Sequence, residues 1–388
     1  MKEPKIRFKG FQGEWEEHSL SEKEFSIIAG GDIDRTIFQK SGNYPVVANA
    51  ITCDGILGYY ENSYRVKGPA VTVTGRGEVG VAFARHYSFT PVVRLLAITS
   101  SHNVDVLANA INLCKVPIES TGVPQLTTSK LQEYNVFMPQ TLDEEDKLAS
   151  YFQHLDSLIQ STTKKIESLK QVKAASLQSM FPQEGETTPR VRFNGFAGEW
   201  EINSLSTFLT PSNLKNRDYK FTKEDVLSVS GEFGIVNQIA FQGCSFAGVS
   251  VANYGVVEHK DIVYTKSPLK TNPYGIIKTN EGDAGIVSTL YAVYKCTNET
   301  NPTFVQYYFD LDSRINSYLR PLVRKGAKND MKVSAKDALL GNVIFPTNEE
   351  QQKIASYFTT LDRQITLHTQ RLEKLKQIKA ACLDNMFV

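Results

Sequence analysis

The chain has 388 residues, a formal net charge of +1, 41% hydrophobic residues and 22% charged residues. These values describe an ordinary globular protein of two or three domains, and they argue against a protein that coats nucleic acid through bulk charge. The chain shows neither a signal sequence nor an apolar stretch long enough to cross a bilayer, so we expect a cytoplasmic protein with no membrane partner.

The chain opens on a segment that returns halfway along. Residues 4–21 read PKIRFKGFQGEWEEHSLS, and residues 189–206 read PRVRFNGFAGEWEINSLS. Both tryptophans of the chain, Trp15 and Trp200, hold matching places in the two copies. Large aromatic residues at equivalent positions of a repeat favour a shared packing role. We therefore predict that each tryptophan anchors its segment on its own domain.

The region between residues 20 and 139 alternates short apolar runs with Gly, Asn and Asp turns. Runs such as GPAVTVTG and VGVAFAR predict strands, and SSHNVDVLANAINLC predicts a helix. Residues 75–80 match G-x-G-x-x-G, but strand-like sequence follows them, so we predict a glycine hairpin in place of a dinucleotide-binding loop. Arg76 would then lie at the loop tip, where it can reach a base edge or a phosphate.

A long repeat covers residues 144–181 and 350–387, which align without a gap. Apolar residues in both copies are spaced alternately four and three apart, which is the a/d pattern of a coiled coil. The predicted seam consists of Leu148, Phe152, Leu155, Ile159, Ile166 and Leu169 in the first copy, and of Ile354, Phe358, Leu361, Ile365, Leu372 and Leu375 in the second. Thr162 and His368 are polar at equivalent seam positions.

The ends of these two predicted helices carry their own signals. Thr141 with Glu144, and Thr347 with Glu350, have the spacing of a capping box. Acidic residues crowd the start of the first copy and lysines its end, as the helix dipole favours. If the two helices pack antiparallel, the acidic start of each also meets the basic end of the other.

The second variable region, residues 205–346, has the same texture but a different sequence. VLSVSG, FGIVNQIAF, DIVYTK and STLYAVYKC predict strands, and TNPTFVQYYFDLDSRINSYL predicts a helical segment. Residues 272–274 read NPY, which is similar to the NPPY of amino-methyltransferases. The second proline and a glycine-rich cofactor loop are missing, so we predict a surface turn.

Residues suited to catalysis or metal binding form no recognisable motif. The six histidines are dispersed, the five cysteines form no CxxC pair, and HExxH, GxSxG and Walker A sequences are absent. The sequence therefore predicts free thiols, no catalytic residue and no metal site.

Basic and amide side chains that suit DNA contact occur in both variable regions. Residues 320–336 form a basic run shortly before the second long helix, and their counterpart, residues 120–130, is polar. Arg and Lys bind phosphates, while Arg, Asn and Gln also bind base edges. We predict DNA contacts at Lys67, Arg76, Arg85, Gln125 and Lys130 in the first region, and at Arg324, Lys325, Lys328, Asn329 and Lys332 in the second. From composition alone, a solvated loop that does not bind DNA is an equally good interpretation of the basic run.

In their order, these elements resemble the DNA sequence-specificity subunit of type I restriction-modification systems. The resemblance rests on two RFxGFxGEW openings, two dissimilar middles, the approach TGVPQLTTSKLQEYNVFMP, and two helices that share ASYF and LKQ-KAA. It implies an α+β fold in which two target-recognition domains are joined by two long antiparallel helices that form an intramolecular coiled coil. The expected division is a first target-recognition domain over residues 1–140, a first helix over 141–181, a linker over 182–188, a second target-recognition domain over 189–346 and a second helix over 347–388.

The resemblance also implies a function. Each variable domain would read one half of a bipartite, asymmetric target in double-stranded DNA, while the helices set the spacer and dock two methyltransferase subunits. Restriction and translocase subunits would complete the assembly. S-adenosylmethionine, ATP and Mg²⁺ are expected on these partners, which leaves this chain without a cofactor. Two alternatives stay open: a self-contained DNA adenine methyltransferase that binds S-adenosylmethionine, and a coiled-coil adaptor that binds no DNA.

Overall fold

The structure is a computed structural model that describes residues 2–114, 124–325 and 331–388. The chain forms two compact units, Met1–Lys164 with Thr369–Val388, and Lys165–His368. Both divisions fall inside a long helix, so each unit holds the first part of one long helix and the last part of the other. None of the helices in these residues is long and apolar enough to span a membrane.

The first unit is built from short strands and small helices that precede a long helix. Its strands are β1 (Glu16–Ser19), β2 (Ser26–Ala29), β3 (Tyr44–Val47), β4 (Ile56–Tyr60), β5 (Ala70–Thr74), β6 (Ala82–Arg85), β7 (Thr90–Pro91), β8 (Leu95–Thr99) and β9 (Asn135–Met138). Its helices are α1 (Val104–Leu113), α2 (Thr128–Gln132), the first part of α3 (Leu142–Ser179) and the last part of α8 (Asn348–Met386). An antiparallel sheet in the order β2-β8-β5-β6 forms the centre, and α1 packs on β5 and β6. β4-β3-β7 forms a second sheet, and β1 pairs with β9.

The second unit repeats this mixture with a different arrangement. Its strands are β10 (Glu201–Ser204), β11 (Leu209–Pro211), β12 (Leu227–Ser230), β13 (Gly234–Asn237), β14 (Gly255–Val257), β15 (Ile262–Thr265), β16 (Ile277–Thr279), β17 (Gly285–Val287), β18 (Tyr291–Cys296), β19 (Arg324–Lys325), β20 (Met331–Lys332) and β21 (Asn342–Phe345). Its helices are the last part of α3, α4 (Leu205–Phe208), α5 (Gln238–Gln242), α6 (Pro302–Tyr308), α7 (Asp312–Leu319) and the first part of α8. The largest sheet has the order β11-β18-β15-β16.

The predicted α+β fold with two long helices is confirmed, with two local corrections. The predicted strand FGIVNQIAF is a strand only in its first half, β13, because Asn237 caps the helix α5 that follows. The segment predicted as one helical stretch forms two helices, α6 and α7, because Leu311 between them has an extended backbone (φ −82°, ψ 121°). The strand pair that frames each unit is equivalent in the two halves: β1 pairs antiparallel with β9, and β10 pairs antiparallel with β21. The repeated opening segments thus make the same strand in both units.

A buried ion pair fixes each opening segment to the start of a long helix. Arg7 donates two hydrogen bonds of 2.7 Å to the two carboxylate oxygens of Glu144, and Arg192 makes the same two bonds, also 2.7 Å long, with Glu350. Both glutamates are almost completely buried. The glutamates predicted to serve capping boxes therefore have a different partner, the arginine of the RF motif.

The long helices pack against each other through contacts that recur in both units. These contacts join Tyr151 to Cys382, Phe152 to Phe387 and Asp156 to Lys379 in the first unit, and Tyr357 to Ser176, Phe358 to Phe181 and Asp362 to Lys173 in the second. From Tyr151–Cys382 to Asp156–Lys379 the residue number rises on α3 and falls on α8, as antiparallel packing requires. Asp156 and Asp362, well inside their helices, each pair with a lysine near the end of the other helix. The prediction concerned the acidic first turns, where Glu144 and Glu350 pair with arginines.

The two tryptophans anchor the opening segments, which confirms their predicted role. Trp15 lies with its ring centroid 5.6 Å from that of Phe387, and Trp200 lies 6.2 Å from Phe181. Both tryptophans are buried. Each opening segment therefore packs on the last residues of a long helix as well as on the first turn of one.

The seam residues face inward to different degrees. Leu148, Phe152, Leu155, Ile166, Leu169, Ile354, Phe358 and Leu361 are buried, whereas Ile159, Ile365, Leu372 and Leu375 are half-buried. Thr162 is buried, and its hydroxyl donates to the Leu158 carbonyl at 2.7 Å. A hydrogen bond within its own helix thus satisfies this polar seam position, while His368 is half-buried.

Candidate nucleic-acid interface

In the first unit, the connection between β5 and β6 holds Arg76 in a fixed backbone geometry. The side-chain oxygen of Asn49 accepts hydrogen bonds from the amides of Gly75 at 2.7 Å and Arg76 at 3.3 Å, and its amide group donates to the Arg76 carbonyl at 2.6 Å. A Cβ at Gly75 would lie 2.5 Å from the carbonyl oxygen of Arg94, so only glycine fits there. The predicted glycine hairpin is confirmed, because β5 and β6 pair antiparallel across it.

Two further polar residues join Arg76 at this connection. Arg76 forms an antiparallel bridge with Gln125, and the amide of Gly75 donates to the Arg94 carbonyl at 2.9 Å. Arg94 is exposed and has a φ of 75°, in the left-handed region that residues other than glycine rarely adopt. Backbone strain of this kind is concentrated at functional sites. We call Arg76, Arg94 and Gln125 the first basic cluster.

Arg94 and Asn49 were not among the predicted site residues. Their relation to Arg76 depends on contacts between residues 19 to 27 positions apart. The sequence around a single arginine in a turn, or around a single asparagine after a strand, does not mark either residue as part of a binding site. Only the pairing of β5 with β8 brings the turn that holds Arg94 beside the glycine connection.

Two other predicted contacts of this unit lie outside the cluster. Lys67 is exposed and precedes β5, so it lies at the opposite end of that strand from Arg76. Lys130 is half-buried on α2, five residues beyond Gln125. The structure brings Arg76 and Gln125 together, and it does not bring Lys67 to them.

Arg85 is a correction, because the structure places it inside the sheet. Its side chain is almost fully buried, and its Nε donates to the Thr72 hydroxyl at 3.1 Å. Its guanidinium carbon lies 5.3 Å from the Phe83 ring centroid, and its Nη1 donates to the Tyr87 hydroxyl at 3.3 Å. The guanidinium is engaged by the protein and has no free face for DNA.

In the second unit, the described residues of the basic run include an antiparallel pair of short strands, β19 and β20, which we call the hairpin. Arg324 on β19 lies directly opposite Lys332 on β20, and both side chains are exposed. Like charges directly opposite each other on paired strands repel. Among the described carboxylates, none forms an ion pair with either residue. The side of the hairpin borders a groove of about 680 Å³, lined by Pro321, Leu322, Arg324, Lys332, Val333, Ser334, Asp337 and Leu340.

Three further residues of this unit, Lys325, Lys328 and Asn329, belong to the predicted set. Lys325 pairs its backbone with Met331, and its side chain is outside the described part of the structure. Lys328 and Asn329 lie outside the described residues. We define the second basic cluster as Arg324 and Lys332.

The NPY sequence is a turn, as predicted, but its asparagine points inward. Asn272 is buried, and its side-chain amide donates to the Asp312 carboxylate at 2.7 Å. The backbone carbonyl of Asn272 accepts a hydrogen bond from the Gly275 amide at 3.0 Å. An asparagine that holds a flipped base needs this amide to be free. The NPY sequence therefore has a structural role in this turn.

Comparison with known proteins gives a consistent result. A family model described as the type I restriction modification DNA specificity domain matches residues 13–171 and 255–377. The putative type I specificity subunit S.MpnORF507P of Mycoplasma pneumoniae is 30% identical over 130 residues, which are 32% of this chain and 35% of that protein. The putative type I specificity subunit S.MpnORF89P of the same organism is 25% identical over 158 residues, which are 39% of this chain and 46% of that protein.

These alignments cover less than half of either relative's own length. Among solved structures, the S subunit of a type I restriction-modification system from M. genitalium superposes with a TM-score of 0.62 at 13% identity, and the match covers 100% of this chain and 99% of that one. The similarity to that structure is one of fold.

Proposed function

Because the chain belongs to the type I restriction modification DNA specificity family, we propose that it is the DNA-recognition subunit of a type I restriction-modification complex and carries no catalytic residue. The observation that carries this proposal is the match of the family model to both halves, residues 13–171 and 255–377. The complex would work on DNA in the cytoplasm.

In this proposal each unit reads one half of a bipartite DNA target. The first basic cluster offers two guanidinium groups and an amide, which suit base edges as well as phosphates. The second offers Arg324 and Lys332, whose mutual repulsion a bound phosphate would offset. Because the clusters differ in residue type and sit on different strands, the two half-sites would differ in sequence. Lys67, Lys130, Lys325, Lys328 and Asn329 stay proposed contacts around them.

The long helices would form the constant frame between the two reading units. They contain 38 and 39 residues, which gives each a length of about 57–59 Å at 1.5 Å per residue. We propose that this length sets the spacer between the half-sites. The exposed helix faces would dock two methyltransferase subunits, and restriction and translocase subunits would join them. S-adenosylmethionine, ATP and Mg²⁺ would bind to these partners.

The two alternative functions predict different experimental results. A self-contained adenine methyltransferase would bind S-adenosylmethionine as a purified chain, and calorimetry that detects such binding would overturn this proposal. A coiled-coil adaptor would leave every DNA sequence unprotected in the assembled complex. The amide of Asn272, which is engaged by Asp312, argues against the methyltransferase. The adjacent like charges of Arg324 and Lys332, which form no ion pair with a described carboxylate, argue against the adaptor.

The test is the salt dependence of DNA binding by the assembled complex. Each phosphate contact contributes about 0.9 to the slope of log K against log [salt], so the double variant Arg324→Ala, Lys332→Ala should lower the slope by about 1.8. The control is Arg190→Ala, Lys295→Ala, which removes the same charge from the same unit. Those two residues already pair with Glu186 and Glu258.

We expect the control to keep the wild-type slope. An unchanged slope in the Arg324, Lys332 variant would exclude the second basic cluster from the interface. An equal loss in the control would show that total charge, and not this hairpin, determines the binding.

A further inference from the structure

Two histidines that are far apart in the sequence meet in the first unit. His18 lies on β1 and His102 just before α1, and their ring centroids are 5.1 Å apart. A carboxylate oxygen of Glu24 lies 2.7 Å from His18 Nδ1 and 3.9 Å from His102 Nε2. The three side chains offer ligand atoms that all lie within 4.8 Å of one another.

A second carboxylate orients one of these rings. Glu145 on α3 is almost completely buried, and its Oε1 lies 2.7 Å from His102 Nδ1. Its other oxygen accepts from the Asn103 amide at 2.6 Å, which fixes the carboxylate in place. A proton on Nδ1 leaves the Nε2 lone pair free to bind a metal ion. A carboxylate, a histidine and a metal in this order are a common arrangement in metalloproteins.

The second ring nitrogen of His102, Nε2, is buried. His102 Nε2 has no hydrogen bond with any described residue, although it is inaccessible to solvent. Buried polar atoms are nearly always satisfied, so such an atom indicates an absent ion or water. It points toward Glu24, beyond which lies His18.

The charge around the pair favours a cation. His18 also lies 3.8 Å from a Glu16 oxygen and 3.5 Å from a Glu22 oxygen. Together with Glu24 this places three carboxylates at one imidazole. In the described part of the chain, no lysine or arginine forms an ion pair with Glu24, and the surplus negative charge is left for another cation to neutralise.

We propose that His18, Glu24 and His102 bind one divalent transition-metal ion, with Zn²⁺ as the best fit, and that Glu145 is the positioning residue. Zn²⁺ takes imidazole nitrogen and carboxylate oxygen at about 2.0–2.2 Å in a tetrahedral site, which sets the ligand atoms roughly 3.3–3.6 Å apart. The separations of 2.7 and 3.9 Å bracket this range, so small side-chain rotations suffice. Glu24 is about one-third exposed, which leaves a fourth position open to water.

Such an ion would join three segments of the first unit. One ligand comes from β1, one from the turn before β2, and one from the residue before the N-cap of α1. Its role would be structural, because it would hold the opening segment against α1 and, through Glu145, against α3.

The second half of the chain provides a natural comparison. Asn103 and Asn301 both cap a helix, and their backbone amides donate to Glu145 and Gln351, which are equivalent residues of the long helices. The positions that match His18 and His102 hold Asn203 and Thr300. The same frame therefore exists without metal ligands. The site would be present once per chain, and His18→Asn and Glu145→Gln introduce residues that this frame already accepts.

The experiment measures Zn²⁺ binding by the full-length chain after treatment with a chelator, by equilibrium dialysis and metal analysis. We expect one Zn²⁺ per chain, complete loss of this site in His18→Asn, and a loss of affinity of about 10–100-fold in Glu145→Gln. Zn²⁺ should also raise the Tm of the wild type and leave that of His18→Asn unchanged. His154→Asn is the matched control, because His154 is exposed on α3 outside the cluster and should bind as the wild type does.

Co²⁺ substitution checks the ligand type, since a site of nitrogen and oxygen ligands gives no thiolate charge-transfer band. Circular dichroism confirms that each variant is folded, and Glu24→Gln serves as a second ligand variant. The proposal is overturned if the wild type binds no Zn²⁺, if His18→Asn and Glu24→Gln bind it like the wild type, or if the Co²⁺ spectrum shows thiolate ligation.

Discussion

Replacement of Arg7 by alanine should destabilise the first unit strongly. The Arg7 side chain is 14% exposed and that of Glu144 is 2% exposed, and the two form a bidentate pair at 2.7 Å. The pair also raises the pKa of Arg7, because the Glu144 carboxylate accepts its hydrogen bonds. Removal of one partner leaves a buried carboxylate without compensation, which costs about 3–5 kcal/mol. An exposed pair such as Arg190 with Glu186 should contribute only about 0–1 kcal/mol.

The assay is urea unfolding followed by tryptophan fluorescence. In a Trp200→Phe background only Trp15 reports, and Trp15 is buried in the first unit. The double variant Arg7→Met, Glu144→Met removes both buried charges and should recover most of the stability that Arg7→Ala loses. If Arg7→Ala costs less than about 1 kcal/mol, or if the double variant is no more stable than Arg7→Ala, the ion pair does not hold the opening segment in place.

Two further predictions concern packing and burial. Phe387→Ala should lower the free energy of unfolding of the first unit by about 3–5 kcal/mol in the same Trp15 assay, because Phe387 packs on Trp15 and Phe152. Val388→Ala, at the exposed last residue, should change this free energy by less than about 0.5 kcal/mol. Burial raises the pKa of the Cys296 thiol to about 12. Iodoacetamide at neutral pH should therefore alkylate the exposed Cys244 in the native chain and reach Cys296 only after unfolding. Equal labelling of the two cysteines in the native chain, measured by mass spectrometry of peptides, would contradict this prediction.

The duplicated parts of the fold could be predicted because the repeat doubles the signal. The period of the seam and the matching places of the tryptophans each occur twice, and both depend on residues near in sequence. The structure adds what the repeat does not specify. Arg7 reaches Glu144 across 137 positions, and the start of each long helix packs beside the end of the other.

The candidate site could be predicted only in part, and the reason is physical. The glycine pattern identifies the hairpin that holds Arg76, because glycine is needed where backbones approach closely. Residue type alone could not distinguish Arg85, which is buried in a sheet, from Arg94, which is exposed at a strained turn. The meeting of His18 with His102 depends on tertiary packing, for which a single sequence carries no pattern.

The division of the chain into two reading units and a constant helical frame can be tested most directly by a map of methylated adenines. Single-molecule sequencing provides this map in cells that carry this chain with its partner subunits. We expect a bipartite motif with two different half-sites. Exchange of residues 205–346 for the corresponding region of a relative should then change one half-site and preserve the other half-site and the spacer. A continuous motif, or a change in both half-sites after the exchange, would contradict the division between reading units and a constant helical frame.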